Sequence, residues 1–177
     1  MAPKIKMNNI KKIAEEYIIP IIFAIILAYL INTFVLFKIT VPTGSMLPTI
    51  QLNNQIFVTK IYNYNNVKRK DIIVFSSKEL NMKLIKRVIG LPGDKVEIKS
   101  DGSVYVNNKL LDEPYVKMKG GKTGTFKVPE GKYFFLGDNR ANSYDSRYWV
   151  NPYISSKDIL GKAQITIYPF NQFGRLK

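Results

Sequence analysis

The chain has 177 residues, no cysteine, no histidine and a formal net charge of +14. That length suits one moderate domain with an appendage, and the missing residue types exclude disulfides, thiolate metal sites and histidine-based catalysis. The basic surplus fits anionic lipid headgroups as well as nucleic acid, but the lysines are scattered apart from Lys68-Arg69-Lys70 and no nucleic-acid motif accompanies them, so no nucleic-acid partner is expected.

Residues 1–16 form a basic tail carrying Lys4, Lys6, Lys11 and Lys12. Residues 17–37 read YIIPIIFAIILAYLINTFVLF, without a charge. As a helix this run would span about 31 Å, close to the hydrocarbon thickness of a bilayer. Lys38 is the only basic residue between the run and Lys60, so the charge bias places the N-terminus in the cytoplasm and residues 38–177 outside. The run is longer than a signal-peptide core and no small-x-small site follows it, which predicts a single-pass anchor in the cytoplasmic membrane.

Beyond the anchor, short β-like runs alternate with turn residues. Strands are predicted at residues 55–60, 71–75, 83–89, 95–99, 103–106, 132–136 and 163–168. Gly90-Leu91-Pro92-Gly93-Asp94 is strong turn chemistry, and Ser100-Asp101-Gly102 is a hairpin signal. Residues 97–131 read as a hairpin and loop excursion, and residues 155–160 suit one helical turn. The fold class predicted is mostly β: an antiparallel, coiled-sheet or barrel-like domain behind one transmembrane helix.

Ser45 lies in Val41-Pro42-Thr43-Gly44-Ser45-Met46-Leu47-Pro48-Thr49, just after the anchor. Prolines fix φ on both sides and Gly44 permits a close backbone approach, so the segment holds one hydroxyl in one place. Without histidine or cysteine, a base for that hydroxyl has to be a lysine or a carboxylate. Lys86 shares a predicted strand face with Leu84 and Val88, and burial among apolar side chains lowers a lysine pKa towards neutrality. The same pattern alone also describes an edge-strand lysine that resists aggregation.

In Gly137-Asp138-Asn139-Arg140-Ala141-Asn142-Ser143-Tyr144-Asp145-Ser146-Arg147, two acids and two arginines alternate with small polar residues, a composition suited to an ion-pair network. Other motifs fail on inspection. Val116 stands where a phosphate loop before Gly121-Lys122-Thr123 needs glycine, Arg140 occupies a ligand position of a calcium loop, and Pro48 takes the place of the lysine in a Ser-x-x-Lys motif. No metal and no cofactor is expected.

The span, the Ser45 segment, Lys86-Arg87-Val88-Ile89-Gly90-Leu91-Pro92-Gly93-Asp94 and residues 137–147, in that order, resemble the membrane-bound type I signal peptidases of bacteria, in their compact Gram-positive form. The resemblance implies Ser45 as nucleophile and Lys86 as general base. It implies Thr43 as an oxyanion donor, Ser143 as the serine that orients the lysine, and Arg87, Asp138, Asp145 and Arg147 as a supporting ion-pair network. It also implies secretory preproteins as substrates and a phospholipid membrane as partner. An extended substrate beside these strands would meet Val41, Met46, Ile50, Leu84 and Ile85, whose apolar walls favour small residues at the first and third positions before the cut. Two positions depart from the usual pattern: Asn54-Gln55 replaces Gly-Asp, and Lys70 replaces a glycine. A self-cleaving serine–lysine repressor would carry a DNA-binding module and no span. The alternative from another class is a non-catalytic anchored β domain that binds peptide or lipid.

Overall fold

A computed structural model describes residues 12–176. The chain divides into two units, Met1–Phe37 and Lys38–Lys177. Most of the basic tail, with Lys4, Lys6 and Lys11, lies outside the described residues. In the first unit, helix α1 covers Ala14–Val35, 22 residues with a mean hydropathy of 2.5, and is long and apolar enough to cross a membrane. Pro20 lies inside α1, where the π-helical turn Ala14–Ile18 passes into the α-helical stretch Ile19–Leu30, and its missing N–H removes one bond of the ladder there. The expected span runs two residues further than the helix. Leu36 turns extended, with φ −145° and ψ 159°, and opens strand β1, Leu36–Thr40.

In the second unit the strands are β2 (Gln55–Lys60), β3 (Ile72–Ser77), β4 (Met82–Gly90), β5 (Lys95–Ile98), β6 (Val104–Val106), β7 (Lys109–Leu110), β8 (Gly124–Lys127), β9 (Lys132–Leu136), β10 (Ile154–Ser155), β11 (Ile159–Tyr168) and β12 (Gly174–Arg175). Eight of the twelve form one antiparallel sheet in the order β1-β2-β11-β3-β4-β9-β10, with β12 beside β11, and four form a second in the order β7-β6-β5-β8. The larger path is open, with β1 and β10 at its ends, rather than a closed barrel. β8 falls in the stretch predicted as loop: its Gly-Thr-Phe-Lys sequence carries little β signal, and pairing with β5 makes it a strand. The expected helical turn is realised as Ser156–Asp158, and β11 starts straight after it, earlier than predicted.

Two cores lie on opposite faces of β4 and β9. Val88 and Phe135 join Ile73, Phe75 and Trp149 in one, while Ile89, Phe134 and Leu136 join Val96, Val104 and Val128 in the other. Successive strand side chains point to opposite faces, so strands buried on both sides read as continuous apolar runs. This explains why β9, Lys-Tyr-Phe-Phe-Leu, is plain in the sequence. In the first core, Phe75 stacks on Phe135 with ring centroids 4.4 Å apart, and Trp149 meets Phe75 edge-on.

Lys70, where the resemblance leads one to expect glycine, has φ 74°. Its turn closes through Lys70 N–H to Val88 O at 2.8 Å, just before β3. A side chain in this left-handed region costs roughly 1–2 kcal/mol, which glycine avoids at some entropic expense. Lys70→Gly is therefore expected to stabilise the protein by up to about 1 kcal/mol, read as a higher urea midpoint at unchanged slope.

Candidate active site

Ser45 sits in a single 3-10 turn, Gly44–Met46, set between the extended segment after β1 and Pro48. The turn is pinned from residues 137–139: Asn139 N–H donates to Ser45 O at 3.1 Å, and Asn139 Nδ2 donates to Gly44 O at 3.2 Å. A Cβ on Gly137 would lie 2.5 Å from Ser45 O and 2.2 Å from Ser143 Oγ. Only glycine lets these two segments meet.

Lys86, in β4, is 4% exposed and pairs across the sheet with Ile73. Its Nζ donates to Ser45 Oγ at 2.5 Å, and Thr43 Oγ1 lies 3.4 Å from the same oxygen. Burial lowers the Lys86 pKa from 10.5 to about 8, against the pull of the Asp145 and Asp138 carboxylates, while the Arg147 charge lowers it further. Desolvation outweighs the nearby negative charge because each carboxylate is already held by an arginine. An amine so placed is neutral in an appreciable fraction of molecules near pH 7–8 and is within reach of the serine proton.

Of the four residues expected to form a supporting ion-pair network, Arg87 pairs with Asp138 and Arg147 with Asp145. Arg87 grips Asp138 through Nε to Oδ1 at 2.8 Å and Nη2 to Oδ2 at 2.6 Å. Arg147 grips Asp145 through Nε to Oδ1 at 2.8 Å and Nη2 to Oδ2 at 2.9 Å. All four side chains are buried, so the bidentate geometry is what makes their charge tolerable there. The pairs reach the nucleophile segment through neighbours: Thr49 Oγ1 donates to Asp138 Oδ2 at 2.5 Å, and Asp145 Oδ2 accepts from Gly137 N–H at 3.0 Å. Ser143 Oγ is buried without a hydrogen-bond partner among the described residues, beside Gly137.

Sequence reasoning missed Thr49, Asn139 as a clamp, and Glu113. Arg140, noted among the alternating charges of its loop, pairs outside that loop. Its Nη1 and Nη2 reach Glu113 at 3.0 and 2.5 Å, and its Nε donates to Gly137 O at 3.0 Å. The signal for Glu113 was a carboxylate next to Pro114 in a stretch rich in lysine; its partner lies 27 residues away, beyond any local pattern.

A cleft of 280 Å³ is walled by residues 39–43 on one side and by Val74 and residues 82–86 of β4 on the other. Val41, Leu84 and Ile85 line it, together with Thr43 and Lys86. Met46 and Ile50 do not; both are fully buried. β9 pairs with β4 only from Arg87 onward, so one edge of residues 82–86 has no strand neighbour among the described residues and faces the cleft end of the sheet. The described residues hold no group of acidic side chains that could bind a metal ion.

The profile of the family described as "Signal peptidase, peptidase S26" matches residues 14–168. The probable signal peptidase I-2 of Synechocystis sp. is 42% identical over 161 residues, covering 86% of this chain and 72% of that protein. Signal peptidase I of Bacillus licheniformis is 39% identical over 180 residues, covering 94% and 95%. Signal peptidase I S of Bacillus subtilis is 36% identical over 182 residues, covering 94% and 97%. The matched span takes in the Ser45 turn, β4 and residues 137–147 together, and the chain belongs to the S26 family of signal peptidases.

Proposed function

We propose that the protein removes signal peptides from secreted preproteins, with Ser45 as nucleophile and neutral Lys86 as general base. The observation that carries this reading is a buried lysine amine 2.5 Å from a serine hydroxyl held in a proline-flanked turn. Lys86 Nζ takes the Ser45 Oγ proton as Oγ bonds to the scissile carbonyl carbon. The oxyanion is met by the Ser45 N–H and the Thr43 hydroxyl. As the tetrahedral intermediate collapses, the ammonium returns its proton to the leaving amine, and Ser45 keeps the acyl group. Lys86 then deprotonates water, which releases the signal peptide and restores the hydroxyl. The resemblance assigns the orienting role to Ser143, whose Oγ is buried here without a hydrogen-bond partner among the described residues.

In this reading α1 anchors the protein in the cytoplasmic membrane, the basic tail faces the cytoplasm, and residues 38–177 act on the outer side. The substrate lies extended along the free edge of β4 at residues 82–86, with its side chains towards Val41, Leu84 and Ile85. A non-catalytic anchored domain is not favoured, because a binding surface gains nothing from burying a lysine against a serine.

Ser45→Ala and Lys86→Ala are each expected to abolish cleavage of a purified preprotein while the melting transition persists. Lys86→Arg is expected to fail equally, since guanidinium stays protonated. Full activity of Lys86→Ala would remove the mechanism.

The sign of the pH dependence follows from the lowered pKa. The active form is the neutral amine, so rate falls as pH drops through about 8. The single-turnover rate at pH 6 is expected to be roughly one-hundredth of its alkaline plateau. A flat profile down to pH 6 would exclude a lysine base.

Branched side chains close to the nucleophile leave shallow pockets. Phenylalanine in place of alanine at the first position before the cut is expected to lower kcat/KM by roughly 5- to 150-fold, the cost of overfilling a packed site. Equal rates for the two residues would contradict this cleft as the substrate site.

A further inference from the structure

Residues 113–120 dock onto the segments that hold the catalytic groups, although they belong to the excursion from the smaller sheet. Glu113 takes the Arg140 guanidinium, Met118 O accepts from Ala141 N–H at 3.2 Å, and Gly120 O accepts from Arg147 Nη1 at 2.8 Å. Tyr115 makes the remaining contact. Its ring lies over the Arg87 guanidinium, with Cζ 3.8 Å from the centroid. Its hydroxyl donates to Glu113 Oε1 at 2.9 Å. Burial beside the Glu113 carboxylate raises the phenol pKa, so the hydroxyl remains a donor.

Arg87 is fixed on each of its edges as well: Nε and Nη2 on Asp138, and Nη1 on Lys70 O at 2.8 Å. The tyrosine ring covers one face of that planar ion, which is buried. A cation held over an aromatic face gains most when it is desolvated. Arg87 directly follows Lys86 in β4, and its partner Asp138 directly precedes Asn139, the clamp on the Ser45 turn.

Building on the signal peptidase reading, we propose that Glu113 and Tyr115 are positioning residues for the Ser45–Lys86 reaction: the Tyr115 ring holds Arg87 on Asp138, and Glu113 holds Arg140 on Gly137, so that the base and the nucleophile keep their alignment. Neither residue lines the cleft beside Ser45 and Lys86. Their effect reaches Lys86 through charge as well as geometry. The charged groups that act on Lys86 are Asp145, Asp138 and Arg147, and both carboxylates raise its pKa. If Arg87 loosens from Asp138, that carboxylate is less neutralised and Lys86 holds its proton to higher pH.

The test uses the full chain in detergent micelles, cleaving a purified preprotein, with Ser45→Ala as the control. Cleavage by the wild type and none by the control establish the signal peptidase reading; failure at that step counts against the reading and not against the positioning role. Rates are taken per folded molecule, with the folded fraction measured by melting. Tyr115→Leu is expected to lower kcat roughly tenfold with KM little changed, and to move the acid limb of the pH profile to higher pH. Tyr115→Phe, which keeps the ring over Arg87, is expected to recover most of the rate and to return the acid limb to the wild-type position. Glu113→Gln is expected to lower kcat as well. A purely structural role would scale the rate equally at every pH. A leucine variant with an unmoved acid limb, or a phenylalanine variant whose acid limb is displaced, would overturn the proposal.

Discussion

An ammonium group taken out of water loses its solvation, and the surroundings of Lys86 are arranged around that loss. The side chain is 4% exposed and its pKa is about 8 instead of 10.5. Because the folded-state value is depressed, the associated stability is present above pH 10.5 and is lost as pH falls from there through about 8. At neutral pH the protein therefore forgoes on the order of 3 kcal/mol that a neutral side chain there would not cost. Two aspartates nearby could have removed the effect by holding the proton on the amine. They do not, because Arg87 and Arg147 each occupy one of them bidentately. Burial thus sets the state of Lys86, and the arginines limit the opposing pull of the aspartates without bonding to the amine. What supports the proposed chemistry is a lysine kept away from compensation.

The strand geometry makes that separation simple. Neighbouring residues in β4 point to opposite faces, so Lys86 takes the face of Ile73 while Arg87 takes that of Ile72. One backbone places both the amine and the cation that neutralises Asp138. The segment after β9 repeats the economy: Gly137 packs on Ser45 and Ser143, Asp138 receives Arg87, and Asn139 clamps Gly44 and Ser45. Alignment of reacting groups is worth a large part of a catalytic barrier, and it survives only if the supporting side chains are themselves locked.

Much of this is legible in the sequence. The apolar run, the strongly patterned strands β2, β3, β4 and β9, and the Ser45 and Lys86 segments follow from local periodicity and turn chemistry. Lys70 is legible as a departure from the resemblance, and its positive φ is a conformation that favours glycine. What local pattern could not supply was long-range pairing. Thr49 meets Asp138 across 89 positions, Arg140 meets Glu113 across 27, and β8 becomes a strand only against β5. Acids and arginines in a sequence show that ion pairs exist but not which partner each takes, so the pairing of Arg87 with Asp138 and of Arg147 with Asp145 comes from the fold. Met46 and Ile50 are apolar and close to Ser45 in sequence, yet they point into the interior; nearness along the chain says little about which wall of a cleft a side chain joins.

The free edge of β4 links substrate register to the reaction. A strand edge with unpaired N–H and C=O groups is ordinarily a liability, and residues 82–86 leave one beside the cleft. In the proposed reaction the preprotein backbone supplies the missing strand, so the sheet that carries Lys86 also fixes where the scissile carbonyl stands relative to it. Side chains of an extended chain alternate with period two, and a slip of one residue turns every one of them to the other side. A residue too large for the wall formed by Val41, Leu84 and Ile85 therefore loses more than a pocket contact. It lifts the strand from its edge, and with it the carbonyl from Ser45. In the proposed reaction, selection for small residues at the first and third positions would then be a property of strand pairing next to the base.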